Sequence, residues 1–163
     1  MTVAAGLSAT DLVAQIVAGR NGGTWDGTSG ITSSVTAAQV AASDLRAVGW
    51  LDNGDGSLTV AYAAQGDTNL DWVVDVLDVA NFAGSGKYGT PDAATWAEGD
   101  FNYDGVVDVQ DIADFAASGL YGAGAYNPPP GGTVAAVPEP GLTWAACGVG
   151  MAAVAGARRW RRG

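Results

Sequence analysis

The chain has 163 residues, which is enough for one or two small domains. It carries 17 acidic and 7 basic residues, a formal charge of −10, and this acidity argues against nucleic-acid binding, which needs a basic surface. There is no histidine, and a single cysteine, Cys147, excludes an internal disulfide.

Residues 1–65 have the pattern of a small α+β segment that ends a preceding domain. Ser8 and Asp11 resemble a capping box for a helix that Gly19 closes. After this helix we expect a loop with small strands and then a second helix over 36–43. Asn-Gly and Asp-Gly in LDNGDGSL, between two apolar runs, predict a hairpin joining strands over 47–50 and 58–62. A calcium-like loop is the alternative for this stretch.

Two segments lying 33 residues apart repeat one another. The first begins at Gly66 and is GDTNLDWVVDVLDVANFAGSGKYG, and the second begins at Gly99 and is GDFNYDGVVDVQDIADFAASGLYG. Of the 24 aligned positions, 16 are identical. Repetition at a fixed period indicates one supersecondary unit formed twice.

Oxygen-bearing side chains recur in each repeat at positions 1, 3, 5, 9 and 12 of a twelve-residue loop. A loop of this spacing binds Ca²⁺, which takes roughly 6–8 oxygens, with a backbone carbonyl added at position 7. Eight of the 17 acidic residues lie here, so two bound ions would bring the charge from −10 to about −6. The predicted ligands are Asp67, Asn69, Asp71, Val73, Asp75 and Asp78 in the first loop, and Asp100, Asn102, Asp104, Val106, Asp108 and Asp111 in the second. Val73 and Val106 would bind through their carbonyls, and Asp75 and Asp108 through water.

Position 6 of such a loop makes a sharp turn that favours glycine. Gly105 satisfies this requirement and Trp72 does not, so we expect the second loop to bind calcium better than the first. Position 12 is Asp in both loops instead of the longer Glu that is usual there.

Each loop precedes a short amphipathic helix with apolar residues at i, i+3, i+4 and i+7, starting at Val76 and at Val109. The stretch before Asp67 alternates like a strand, so the incoming helix of an ordinary EF-hand is missing. A loop followed by one helix, given twice, resembles the type I dockerin family over residues 66–122, and this resemblance implies a cohesin-like partner protein. Plain Asp/Asn/Gly turns are the alternative, but the duplication and the ligand spacing favour calcium loops.

Residues 123–137 predict a Pro/Gly-rich linker. From Gly141 to Ala157 there are 17 uncharged residues, near the short limit of a transmembrane helix, and four arginines follow. The positive-inside tendency would keep this end in the cytoplasm and place the acidic loops outside. A Pro-rich loop followed by a buried core helix is the alternative. The arginines are Arg158, Arg159, Arg161 and Arg162.

The order of Val137, Pro138, Glu139 and Pro140, an apolar span and a terminal arginine cluster resembles the PEP-CTERM sorting tail of exported bacterial proteins, over residues 138–163. This resemblance implies cleavage by an exosortase-type protease, transient membrane anchoring, and a mature protein at the cell surface or outside the cell. Residues 1–20 have no signal-peptide pattern. We therefore expect either the C-terminal part of a longer exported protein or a misassigned start. Residues 19–34 also resemble the segment preceding dockerin-like repeats in surface proteins of planctomycete-type bacteria.

The sequence thus predicts a mainly α fold with a small β-hairpin, two EF-hand-like loop-helix repeats with two Ca²⁺ ions, and a C-terminal transmembrane helix. The predicted function is that of a non-catalytic calcium-binding module that attaches an exported protein to a partner. One alternative is a purely structural calcium-stabilised stalk. Another is an accessory module of a polysaccharide-degrading enzyme, although the acidic residues outside the loops show no catalytic pairing.

Overall fold

The computed structural model describes residues 2–3, 6–42, 45–126 and 134–137. Two short 3-10 turns lie at Asn21–Gly23 and Trp96–Glu98. The helices and strands, in chain order, are β1 (Thr2–Val3), α1 (Ala9–Arg20), β2 (Gly30–Ser33), α2 (Ser34–Ala41), β3 (Arg46–Asp52), β4 (Leu58–Ala64), α3 (Val76–Gly84), α4 (Val109–Ser118) and β5 (Val134–Val137).

The predicted mainly α fold is wrong, because the described part of the chain is mixed α/β. Four helices accompany a three-stranded antiparallel sheet in the order β1-β4-β3 and a two-stranded antiparallel sheet formed by β2 and β5. Strand β2 pairs Gly30 with Val137, residues about a hundred positions apart in the sequence, and β5 lies in the stretch predicted as linker. Local patterns carry no information on such distant pairing, which is why the strand content was underestimated.

The transmembrane helix that was predicted with this fold falls outside the described residues. Within the described ranges, no helix is long enough and apolar enough to cross a membrane. The predicted span 141–157 lies outside those ranges, as do Pro138 to Pro140 and the four arginines. Val137 of the predicted sorting motif is the last residue of β5.

Capping residues set the starts of the first two helices. The Ser8 hydroxyl accepts a hydrogen bond from the Asp11 amide over 3.1 Å at the start of α1, which confirms the predicted cap. Gly19 does not end the helix, which continues to Arg20 and is capped by Asn21 in the left-handed conformation. Ser33 caps α2 in the same way.

The hairpin of β3 and β4 is longer than the sequence predicted, with Arg46 opposite Ala64 and Asp52 opposite Leu58. Asp52 accepts a hydrogen bond from the Gly54 amide over 2.8 Å at its turn. Gly54 has φ 75°, which glycine adopts without strain. The hairpin interpretation of LDNGDGSL is therefore confirmed.

One hydrophobic core joins the sheet to the repeats. It contains buried side chains from α1, β2, β3 and β4 together with Trp96 and Phe101, which lie within the stretch of the two repeats. Gly49 of β3 lies directly under Trp96, since a Cβ atom there would be 2.7 Å from the indole ring. Tyr103, at position 4 of the second loop, stacks on Trp96 with ring centroids 5.8 Å apart. The predicted calcium loops are thus held against a β-sheet.

Candidate metal centre

The two predicted calcium loops share one backbone turn. At position 6, Trp72 and Gly105 have φ of 71° and 91°, and at position 4 Leu70 and Tyr103 have φ of 59° and 64°. This left-handed conformation costs a residue other than glycine roughly 1–2 kcal/mol. The sharp turn is therefore present in both loops, and the tryptophan of the first loop bears its cost.

The position 1 carboxylates are buried over this turn. Asp67 is 0% exposed and accepts hydrogen bonds from the Asp71 amide (3.3 Å) and the Trp72 amide (3.0 Å). Asp100 is 4% exposed and accepts from the amides at the same two positions of its loop, over 3.2 and 3.1 Å. Both aspartates are thus fixed by backbone groups.

Positions 3 and 5 lie side by side in each loop. The side-chain amide Nδ2 of Asn69 donates to the Asp71 carboxylate over 2.9 Å, and that of Asn102 donates to the Asp104 carboxylate over 3.0 Å. The aspartate at position 5 accepts a further hydrogen bond from the backbone amide at position 7. The oxygens predicted at positions 3 and 5 are therefore close to the backbone at position 7, which belongs to Val73 or Val106.

Residues at position 8 join each loop to the other repeat. Val74 is buried and forms a parallel bridge with Tyr121, and Val107 is buried and forms one with Tyr88. The Gly122 amide donates to the Val74 carbonyl, and the matching bond to the Val107 carbonyl has the same length of 2.9 Å. The two repeats therefore support one another reciprocally.

The glycines that precede the loops complete this exchange. A Cβ atom on Gly66 would be 2.2 Å from the ring of Phe115, and one on Gly99 would be 2.4 Å from the ring of Phe82. The two phenylalanines line an apolar cavity of about 110 Å³ between α3 and α4. Each repeat thus needs a glycine where the aromatic ring of the other repeat lies.

The aspartates at positions 9 and 12 cap the helices, a role that the sequence analysis did not assign. Asp75 and Asp108 are the N-cap residues of α3 and α4. Their own amides donate to Asp78 over 2.8 Å and to Asp111 over 2.9 Å, which completes a capping box at each helix. The residue spacing S/T/D-x-x-E/D before an apolar run was a visible signal for this role.

The position 12 carboxylates also hold the starts of the loops. Asp78 accepts from the Thr68 amide over 2.8 Å, and Asp111 accepts from the Phe101 amide over 2.9 Å. Asp78 and Asp111 are 1% and 0% exposed. In both of these carboxylates, the Oδ2 atom accepts a single hydrogen bond, from the amide of the N-cap residue. Oδ2 therefore retains a lone pair for a cation.

Among the residues that the structure describes, no cationic side chain forms an ion pair with these buried acids. In the described part of the chain, the only ion pair is Lys87 with Glu98, at 2.7 Å. Burial, reinforced by the charge of Asp111, raises the pKa of Asp100 from 3.8 to about 6. Burial also raises the pKa of Asp67 and of Asp111. The loops therefore concentrate negative charge where burial makes it costly.

The donor set fits calcium, whereas its present arrangement is open. Carboxylate, amide and backbone carbonyl oxygens are the ligands that Ca²⁺ takes in proteins. Across the described residues, no group of three or more His, Cys, Asp or Glu side chains is placed to hold a metal ion. Calcium binding would therefore require the carboxylates of each loop to move closer together, with an asparagine and a carbonyl completing the set.

Two residues distinguish the first loop from the second. The Trp96 indole N–H donates to the Asp67 carbonyl over 2.7 Å, and the Tyr126 hydroxyl donates to the Asp67 carboxylate. Burial and the charge of Asp67 raise the pKa of Tyr126 far above its usual value, so the phenol keeps its proton. Both residues lie outside the first repeat, and no sequence pattern linked them to its loop.

Comparison of the chain with protein-family models, with curated proteins and with solved structures finds no match.

Proposed function

We propose that this chain is a non-catalytic, dockerin-like module that binds two calcium ions and attaches an exported protein to a partner protein. The observation that supports it best is a set of four buried aspartates that form no ion pair with any cationic side chain in the described ranges: Asp67, Asp78, Asp100 and Asp111.

A buried carboxylate destabilises a fold unless it is paired or neutralised. Bound calcium supplies positive charge to the crowded carboxylates and so stabilises the loops. In each loop the calcium ligands would be the residues at positions 1, 3, 5, 7 and 12, and the aspartate at position 9 would bind through a water molecule. The capping and turn hydrogen bonds tie several of these groups to the loop backbone before any ion arrives.

The attachment role is supported by apolar side chains at the start of both repeat helices. Val76 and Val109 occupy the same position of the two repeats and are 63% and 70% exposed. Leu77, beside the first of them, is 58% exposed. Exposed apolar residues at matching positions favour a partner protein over a stalk with a polar surface.

The stalk alternative is supported by a different observation, the shared core in which Trp96 and Phe101 pack with side chains of the sheet. Such a core would make the module a stiff spacer even without a partner. The attachment function requires the exposed valines for binding to a partner, whereas in a stalk they would affect only solubility.

Chelation of calcium tests the metal part of the proposal. A ligand that binds only the folded state stabilises it by about 2.7 kcal/mol at a hundredfold excess over Kd. We expect the melting temperature in millimolar calcium to exceed that in EDTA by several degrees, and Asp71→Ala with Asp104→Ala to remove the difference. Asp92→Asn, which changes an exposed acid outside the loops, is the matched control. Equal melting curves with and without calcium in the unaltered chain would refute the proposal.

Replacement of the exposed valines tests the partner part. Val76→Ser with Val109→Ser should keep the calcium-dependent melting temperature and abolish binding to a cohesin-like protein, measured by calorimetry. Val17→Ser, on an exposed position of α1, is the control. Unchanged partner binding in the double variant would contradict this docking face, and no binding by the unaltered chain would favour the stalk.

A further inference from the structure

Tyr126 lies beyond the second repeat but packs against the first loop. Its backbone amide donates to the Trp72 carbonyl over 2.9 Å. Its hydroxyl accepts from the Ala64 amide over 2.9 Å and donates to the Asp67 carboxylate. The phenol thus connects the end of β4 with position 1 of the first loop.

Within the described part of the chain, the second loop has no counterpart to this contact. The Asp100 carboxylate accepts hydrogen bonds only from the backbone of its own loop, among the residues that the structure describes. Besides the Trp96 hydrogen bond to the Asp67 carbonyl, the first loop therefore has Trp72 in place of Gly105 and an additional donor on its position 1 carboxylate.

The donors on Asp67 are unevenly distributed between its two oxygens. Oδ2 accepts from the Trp72 amide at 3.0 Å and from the Tyr126 hydroxyl. Oδ1 accepts a single, longer hydrogen bond of 3.3 Å from the Asp71 amide. A carboxylate oxygen has two lone pairs, so Oδ1 is the oxygen that remains available to a cation. Two donors on Oδ2 also fix the rotation of the carboxylate.

We propose that Tyr126 is a positioning residue for the first calcium site, whose hydroxyl orients the Asp67 carboxylate so that the loop binds Ca²⁺ despite the tryptophan at its turn. This inference rests on the proposed calcium-binding function. Hydrogen bonds to the outer oxygen of a ligating carboxylate fix its orientation and typically change metal affinity by about 10–100-fold. Tyr126 therefore links the segment after the second repeat to the metal affinity of the first.

The substitution Tyr126→Phe isolates the hydroxyl. The phenyl ring keeps the contact with Tyr62, at 6.3 Å between centroids, and the position beneath Arg46, at 5.7 Å. Only the bonds to Asp67 and Ala64 are lost. The loss at Ala64 lowers stability equally with and without calcium, whereas the loss at Asp67 also frees the carboxylate to rotate and so lowers the calcium affinity of the first loop.

Calcium titration by calorimetry on the full chain measures this in two backgrounds. With Asp104→Ala disabling the second loop, Tyr126→Phe should weaken calcium binding about 10–100-fold. With Asp71→Ala disabling the first loop, the same substitution should leave the affinity unchanged. Tyr121→Phe is the matched control, since that exposed tyrosine packs on Phe115 and makes no contact with Asp67.

The outcomes separate this inference from the proposed function. If the chain without substitutions binds no calcium, both fail. If it binds two ions and Tyr126→Phe changes neither site, weakens both sites equally, or unfolds the chain in EDTA, only the positioning role is overturned. Selective weakening of the first site supports it.

Discussion

Stability without calcium should increase when the pH is lowered, opposite to the usual behaviour of acidic surface groups. A carboxyl group with a raised pKa in the folded state stabilises the fold fully below its unfolded pKa and loses that contribution as the pH rises through its folded pKa. For Asp100 this window extends from 3.8 to about 6. The raised pKa values of Asp67 and Asp111 act in the same direction.

The magnitude follows from Asp100. Between about pH 7.5 and about pH 5 the folded chain takes up most of one proton at this site, whereas the unfolded chain takes up almost none. The folded pKa of about 6 is one unit above pH 5, and one unit corresponds to about 1.4 kcal/mol. The free energy of unfolding in EDTA should therefore be about 1.4 kcal/mol larger at the lower pH, or a few degrees in melting temperature. The lowered pKa of Glu98 changes the free energy of unfolding only as the pH falls below 4.5, so it does not affect this pH range.

The assay is urea denaturation in EDTA at both pH values, repeated in millimolar calcium. Calcium ligands must be deprotonated, so the stabilisation by calcium should grow with pH and reverse the order of the two curves. Asp100→Asn should remove most of the dependence in EDTA, and Asp92→Asn should not. Equal or lower stability in EDTA at about pH 5 would refute the argument that burial makes the ionised carboxylates of the metal-free loops costly.

Two further substitutions test the loop turn and the core. Trp72→Gly should raise the free energy of unfolding by up to roughly 1–2 kcal/mol with and without calcium, because it removes a left-handed non-glycine residue; urea denaturation that finds no gain would contradict the strain argument. Gly49→Ala should lower the free energy of unfolding by about 1–3 kcal/mol, since its methyl group would overlap Trp96. Gly84→Ala in α3, where a methyl group meets no other atom within 4 Å, is the control, and a comparable loss there would contradict the packing explanation.

Features within one loop or one helix could be predicted from the sequence, because short spacings determine them. The turn at Gly105, the starts of α3 and α4 and the cap at Ser8 all follow from neighbouring residues. The hairpin was predicted from its glycine-containing turn, although its strands extend further than the apolar alternation indicated.

Contacts between distant segments could not be predicted in this way. The pairing of β2 with β5, the Trp96 hydrogen bond to Asp67 and the Tyr126 contact all join residues that are 29 or more positions apart. A tyrosine in a Gly/Pro-rich stretch has the pattern of a linker residue, and only the folded chain shows its hydroxyl at a carboxylate. The capping role of Asp75 and Asp108 was overlooked for a different reason, since the calcium spacing already accounted for both residues.

The position of β5 has a mechanical consequence. Tension applied to the chain beyond Val137 would first load the four-residue strand pair of β5 with β2. Once that pair separated, the next anchored residue toward the N-terminus in the described part of the chain would be Tyr126, and further extension would draw its hydroxyl away from Asp67. Tension on the C-terminal end would thus act on the first loop through Tyr126, the residue that we propose to set its calcium affinity. Tension and calcium occupancy of the first loop would therefore be coupled.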